Sequence, residues 1–281
     1  MRASGGNQIM YQLDPPDDDG LFIPSVKEHS KAKHWFLSRY IDAFTTSMKG
    51  KWSGLHYIDL FAGAGIERLS ETGALDWGSP LIAAQVRHPF VGIHLCEKNK
   101  RKHEALVQRF HRLDIGAQIL HGDANKKIDE IVRTIPARTL SLVFLDPYGL
   151  HLAFETIKRL SDVRADLIIF FPDHLDALRN WERHHLRNPD SNLDRCLGSG
   201  ANWRQILDST PQDHLAEALR NLYIQQIRSL GYTEFRFQRI SSKGHPLYVL
   251  LLCSRSKIAA KLWSGISAKD HSGQRILPFG E

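Results

Sequence analysis

Tyr57-Ile58-Asp59-Leu60-Phe61-Ala62-Gly63-Ala64-Gly65 is the stretch that decides how this chain reads. His56 to Phe61 is a strand candidate that runs straight into small residues. Gly63 and Gly65 let the backbone pass close to a ligand and adopt positive φ. Backbone amides in such a loop can face a carboxylate or a ribose. A glycine pair alone is weak evidence, because it can equally be a turn that fits a helix against a sheet.

The flanking sequence strengthens it. On the N-terminal side, a helix is expected from about Val26 to Met48. Ala32, Trp35, Phe36, Tyr40, Ala43 and Phe44 form its apolar face, and Lys31, Lys33, His34 and Arg39 its polar one. Residues 1–25 are polar and read as a flexible arm. On the C-terminal side, Gly78-Ser79-Pro80 reads as a helix start, with Ser79 as cap and Pro80 in the first turn. Strands and helices then alternate: strands at 91–96, 117–121, 140–145 and 166–171, helices at about 99–113, 126–134 and 154–160. The pattern breaks over about 172–211, an insertion rich in Asp, Asn, Arg and His. A helix from about Gln212 to Leu230 restores it. Phe235–Ile240 and Leu247–Cys253 then form a hairpin, and a last helix is expected over 257–263. The arrangement predicts an α/β, Rossmann-like class I methyltransferase fold: a parallel sheet with a terminal antiparallel hairpin strand and flanking helices.

Composition narrows the function classes. Of 281 residues, 42% are hydrophobic and 24% charged, enough for a globular core over 26–281. The longest apolar run, Leu247 to Cys253, is far shorter than a membrane helix. The first 25 residues lack the apolar core of a signal peptide, so a cytoplasmic protein is expected. Cys96, Cys196 and Cys253 are scattered and suggest neither a disulfide framework nor a zinc cluster. No metal is expected, since the adjacent His184 and His185 would point apart on a helix. A net charge of +6 suits an anionic partner such as RNA or DNA.

Acidic residues recur where strands end, the place where open α/β sheets bind ligands. Asp59 ends the first strand. Glu97 follows the second and can accept both hydroxyls of a ribose, or simply be a solvated acid at a strand end. Asp123, with Ala124, follows the third and can accept an adenine amino group, or simply cap the next helix. The candidate cofactor set is Asp59, Phe61, Ala62, Gly63, Gly65, Glu97, Asp123 and Ala124, with S-adenosylmethionine as the cofactor. Asp146-Pro147-Tyr148 follows the fourth strand and resembles the motif that amino-methylating enzymes set beside the transferred methyl. There, an acid and a backbone carbonyl hold the amine while the ring stacks on a base. Asp146, Pro147 and Tyr148 are therefore the candidate catalytic residues; a turn after a buried strand is the plainer alternative.

Asp-Leu-Phe-Ala-Gly also resembles the loop of cytosine C5 DNA methyltransferases, but this chain has no Pro-Cys nucleophile. Transfer through a cysteine adduct is thus disfavoured, and direct transfer to nitrogen, which needs mainly positioning, is favoured. Basic residues from Lys98 to Arg112 line one helix, either as a solvated face or as a nucleic-acid contact. Arg179, Arg183 and Arg187 flank Trp181 in the insertion and are the candidate nucleic-acid residues.

Taken together, the segments around Trp35 and Tyr40, Tyr57–Gly65, Gly78-Ser79-Pro80, Phe144–Gly149 and Pro246–Leu250 resemble the three-Cys-motif partner proteins. The resemblance spans about 30–265. It implies a methyltransferase-like fold and a possible partner, a radical-type protein that carries the three cysteines. Asp-Pro-Tyr-Gly is also similar to the Asp-Pro-Phe-Gly of tRNA guanine-amino methyltransferases. The expected function is S-adenosylmethionine-dependent methylation of a nucleobase amino nitrogen in RNA or DNA. The alternative is a non-catalytic module that binds cofactor or nucleic acid for a partner enzyme. A nicotinamide dehydrogenase is disfavoured by the terminal hairpin and the incomplete Gly-x-Gly-x-x-Gly loop.

Overall fold

The computed structural model describes residues 14–147, 149–172, 188, 190–198, 202–242 and 245–267, without the side chains of 242, 245 and 246. A seven-stranded sheet forms its centre. Its strands are β2 (Leu55–Asp59), β5 (Gly92–Glu97), β6 (Gln118–His121), β7 (Leu140–Leu145), β8 (Ala165–Phe171), β9 (Glu234–Ser242) and β10 (His245–Ser254). The order across the sheet is β6-β5-β2-β7-β8-β10-β9. β2 pairs in parallel with β5 and β7, β5 with β6, and β7 with β8. β10 alone runs against its neighbours, antiparallel to both β8 and β9. A parallel sheet closed by one reversed strand in this order is the class I methyltransferase arrangement, as the sequence pattern predicts.

Alternation of side chains along the strands explains the two cores. Ile58, Val143 and Leu145 join one apolar cluster with α4 (Ala124–Val132), α5 (Phe154–Leu160) and α8 (Leu215–Arg228). Tyr57, Leu142 and Phe144 join the other with α1 (His29–Met48), α2 (Ser79–Ala84), α3 (Lys100–Arg112) and α9 (Lys257–Ser267). Every residue of β7 is buried, because helices cover both faces of the sheet there. Asn99 caps α3 by accepting the Lys102 amide, and Asp123 caps α4 by accepting the Asn125 amide.

Two local expectations need correction. Ser79 does not cap α2: Gly78 holds the cap position, and the Ser79 hydroxyl is donated to Asp59 instead. A second, three-stranded sheet is also present, built from β1 (Ser25–Val26), β3 (Ile66–Leu69) and β4 (Leu75–Trp77). The chain thus leaves the glycine loop into a small hairpin before reaching α2. Within the stretch expected to be a loose arm, residues 14–26 are tied to the body. Asp14 accepts from the Trp77 indole, and Asp19 pairs with Arg109. Residues 1–13 lie outside the described residues.

In the expected insertion, α6 (Asn192–Leu197) opens with a capping box between Ser191 and Asp194. α7 (Trp203–Asp208) buries Trp203, whose indole donates to Asp194. Arg179, Arg183 and Arg187 lie outside the described residues, as does Tyr148. Among the described residues, no helix is long and apolar enough to cross a membrane.

Candidate active site

The strand order reverses between β2 and β7, so their carboxyl ends flank a crevice. Asp59 pairs in register with Phe144, which puts Asp146 two residues further on, at the same carboxyl edge as the glycine loop. The glycine loop rises from β2 with Gly63 and Gly65 at φ of 67° and 90°. A side chain at either would strain the backbone. A Cβ on Gly63 would meet nothing within 4 Å, so the loop offers open space there. A Cβ on Gly65 would press on Leu81 and Leu106 at 3.0 and 3.1 Å, so Gly65 lets α2 and α3 close on the loop.

Asp59 sits beneath this loop, fully buried. It accepts from the Ser79 hydroxyl (2.6 Å), the Phe61 amide (3.1 Å) and the Tyr57 hydroxyl (3.3 Å). Burial pushes its carboxyl up to about 7, against the lowering effect of those donors and with a further push from Asp146. The position is that of a strut shaping the loop. Ala62 adds to the scaffold by donating its amide to the Cys96 carbonyl (3.0 Å). Phe61 is partly exposed beside it.

Glu97 meets the loop from the end of β5. One of its oxygens accepts from the Gly63 amide (2.8 Å) and the other from the Asn99 amide (2.6 Å). Each carboxylate oxygen keeps a further lone pair for a ligand hydroxyl. Asp123 accepts the Asn125 amide at 3.0 Å and the Lys98 ammonium at 2.9 Å. Burial raises its pKa, but Lys98 and Asn125 outweigh that and leave it lowered. Both roles foreseen for Asp123 are therefore compatible with its place, the cap being the one already filled. Ala124 is buried in the first turn of α4.

Asp146 has a partner that sequence reasoning missed. Lys33 of α1 donates its ammonium to Asp146 Oδ2. The side chains are 9% and 19% exposed, which makes this an inner ion pair and not a surface one. Burial opposes the charge on Lys33, but Asp146, with Glu67 and Tyr248, raises its pKa above the usual lysine value. The Tyr248 hydroxyl reaches the His29 carbonyl at 3.4 Å, and its ring lies 4.0 Å from that of Phe170. Next to Lys33, the Nδ1 of buried His34 lies 3.8 Å from both Glu67 and Asp76, a cross-strand pair on β3 and β4. The polar face expected for α1 is thus wrong at Lys33, which pairs with Asp146, and at His34, which faces Glu67 and Asp76 of the β3–β4 hairpin.

The basic helix also needs revision. Arg109 of α3 is 2% exposed. It holds Asp19 by two bonds (2.8 and 2.7 Å) and donates to the Ala64 and Phe22 carbonyls (2.6 and 3.1 Å). Arg112 donates to the Asp19 carbonyl at 3.0 Å, and Arg101 lies over the Phe22 ring. These arginines fasten the N-terminal segment to the glycine loop.

No family model matches the chain, and no curated protein sequence matches it. Among solved structures, the chain is similar to the Legionella pneumophila protein LPL1258 at 14% identity. That match covers 86% of this chain and 92% of that one, at a TM-score of 0.49. It is similar to an O-methyltransferase from Bacillus cereus in complex with SAH at 7% identity, over 79% and 80% of the chains, TM-score 0.46. It is also similar to TYW2 of M. jannaschii in complex with AdoMet at 9% identity, over 81% and 75%, TM-score 0.40. Likenesses this distant carry no functional weight.

Proposed function

We propose that the chain is an S-adenosylmethionine-dependent methyltransferase that acts on an amino nitrogen of a nucleobase in RNA or DNA. One observation carries the reading. The Glu97 carboxylate is bonded to the Gly63 amide at the mouth of the glycine loop, and Asp146 stands across the switch point of the same sheet. The open space over Gly63 and the spare lone pairs of Glu97 fit an adenosine cofactor.

Glu97 would hold the ribose hydroxyls, and Gly63 and Gly65 would let the loop backbone approach. Asp123 and Ala124 would face the adenine, while Asp59, Phe61 and Ala62 keep the loop in shape. Bound S-adenosylmethionine supplies an electrophilic methyl group on its sulfonium. Asp146 and the backbone of Pro147 would orient the amine towards it, and Tyr148 would stack on the base. Positioning of this kind is the main demand of the reaction.

Arg179, Arg183 and Arg187 are proposed to grip the nucleic acid, a partner that the charge of +6 suits. Membership of the three-Cys-motif partner family, with its radical-type partner and a cytoplasmic setting, is part of the same proposal. The test traces labelled methyl into total RNA and DNA, with that partner absent and present. Transfer lost in Asp146→Ala, with cofactor affinity retained, supports the reading. Cofactor binding without transfer in either condition would instead favour the non-catalytic module.

A further inference from the structure

We propose that Lys33 is a positioning residue that fixes Asp146 as a hydrogen-bond acceptor, so that the crevice takes an amine and not a hydroxyl as methyl acceptor. This rests on the methyl-transfer reading above. Its ground is a juxtaposition the sequence does not announce: a buried ammonium on α1 bonded to the acid that follows β7.

The groups facing Lys33 come from four places. Asp146 lies beyond β7, Glu67 on β3, Tyr248 on β10, and His29 one turn earlier on α1. Two of the four are acids, and Asp146 is the one in contact. An ammonium buried this way persists only because it is paired. The pair occupies Oδ2, and among the described residues no other side chain or amide bonds Asp146, so Oδ1 can accept from a substrate.

That arrangement separates the two acceptor classes. An exocyclic amine offers an N–H to Oδ1, which orients the nitrogen without taking its proton. The nitrogen lone pair then forms the N–C bond, the S–C pair returns to sulfur, and the surplus proton leaves to water. A hydroxyl acceptor needs a base to withdraw its proton as the O–C bond forms. Asp146 already holds the Lys33 ammonium through Oδ2, so its part at the acceptor is to take one hydrogen bond at Oδ1, which orients an amine but does not remove a hydroxyl's proton.

The experiment has two arms. The first needs no activity: lysine side-chain 15N signals of the full chain are followed from pH 7 upward in wild type and Asp146→Asn. In the wild type the Lys33 ammonium should persist past the ordinary lysine value. In Asp146→Asn it should titrate lower, since burial is then no longer offset. The second arm measures methyl transfer by Lys33→Met and Lys33→Arg, with products digested to nucleosides. Lys33→Met should lose turnover by about tenfold or more, with the KM for S-adenosylmethionine unchanged and partial rescue in Lys33→Arg. All methyl groups should sit on nitrogen.

A Lys33 signal indifferent to Asp146→Asn would overturn the proposal. So would wild-type turnover in a folded Lys33→Met, or methyl groups on ribose oxygens. If Lys33→Met does not fold, Lys33→Arg against Asp146→Asn still decides, because a positioning role requires arginine to keep more turnover than the asparagine variant. No transfer by the wild type, with the Lys33 signal still dependent on Asp146, would overturn the methyl-transfer reading and the positioning role while leaving the ion pair standing.

Discussion

Replacing Glu97 tests the cofactor site most directly. Its carboxylate holds two backbone amides, Gly63 at 2.8 Å and Asn99 at 2.6 Å, and the residue is 8% exposed. Glu97→Ala removes the acceptors for both and for any ribose hydroxyl. A charged hydrogen bond contributes about 1.5–3 kcal/mol, and ligand hydroxyls lose at least one. Binding of S-adenosylmethionine or its demethylated product should therefore weaken by about 10- to 100-fold. Glu97→Gln should weaken it less, since one carbonyl oxygen still accepts while the amide group opposes the loop N–H. Calorimetry at constant salt reads both variants. Thermal melts in parallel separate a lost ligand contact from a collapsed loop: unliganded Glu97→Ala should melt only modestly lower, because Asp59, Ser79 and Arg109 still brace the loop. Unchanged affinity in Glu97→Ala would refute the assignment of the ribose to this carboxylate.

Four other outcomes are expected. Arg109→Ala should cost about 3–5 kcal/mol in chemical denaturation, because it strands Asp19 and frees the Ala64 carbonyl. Asp19→Ala should cost a similar amount, since it leaves the buried Arg109 with carbonyl acceptors but no counter-charge. His56 and His94 touch at 3.0 Å, and burial, reinforced at His56 by its neighbour, lowers both below the ordinary 6.5. A lowered histidine stabilises above its unfolded value and loses that contribution as pH falls, so the stability gap between wild type and His94→Gln should be widest above pH 7 and shrink below about 6. Asp59 works with the opposite sign, being raised from 3.8 to about 7, which is why the difference between variants is the quantity to measure. Nucleic-acid affinity should fall steeply with salt, and Arg183→Ala with Arg187→Ala should flatten that slope in gel shifts.

How much of this was legible in the sequence depends on the range of the signal. β7 and α5 are found at the expected residues, and β2, β5, β6 and β8 within two or so. The strands are short and mostly apolar between turn residues, and in α5 Phe154, Ile157 and Leu160 recur at helical spacing, so local pattern suffices. The closing hairpin was readable because Leu247 to Cys253 faces Phe235 to Ile240 across a short polar turn. The place of Glu97, Asp123 and Asp146 along one sheet edge was readable for the same reason: each is the first acid at the end of an apolar strand, and parallel strands end on one edge. The β3–β4 hairpin was not readable. Ile66–Leu69 and Leu75–Trp77 are short and mix charge with apolar residues, and what fixes their pairing is packing on a distant part of the core.

Lys33 was hidden by its residue type. A lysine on an amphipathic helix is assigned to solvent when only one covering surface is known. Yet Lys33 precedes Phe36, Leu37 and Tyr40 by three, four and seven residues, and all three are core residues. Helical geometry therefore puts Lys33 on the buried stripe, at the end that overhangs the strand edge. A lysine in that stripe demands an acid opposite it, since an unpaired buried charge is untenable. The acids available at that edge are those at strand ends, and Asp146 is the one α1 reaches. Ser79 teaches the same lesson on a smaller scale: a residue with a good local use as a helix cap is claimed instead by the buried Asp59. In both cases the propensity of the residue names its ordinary role, and a buried carboxylate at the crevice reassigns it. Polar residues that break a local rule within reach of a strand end are therefore the ones to examine first when a site of this kind is sought from sequence.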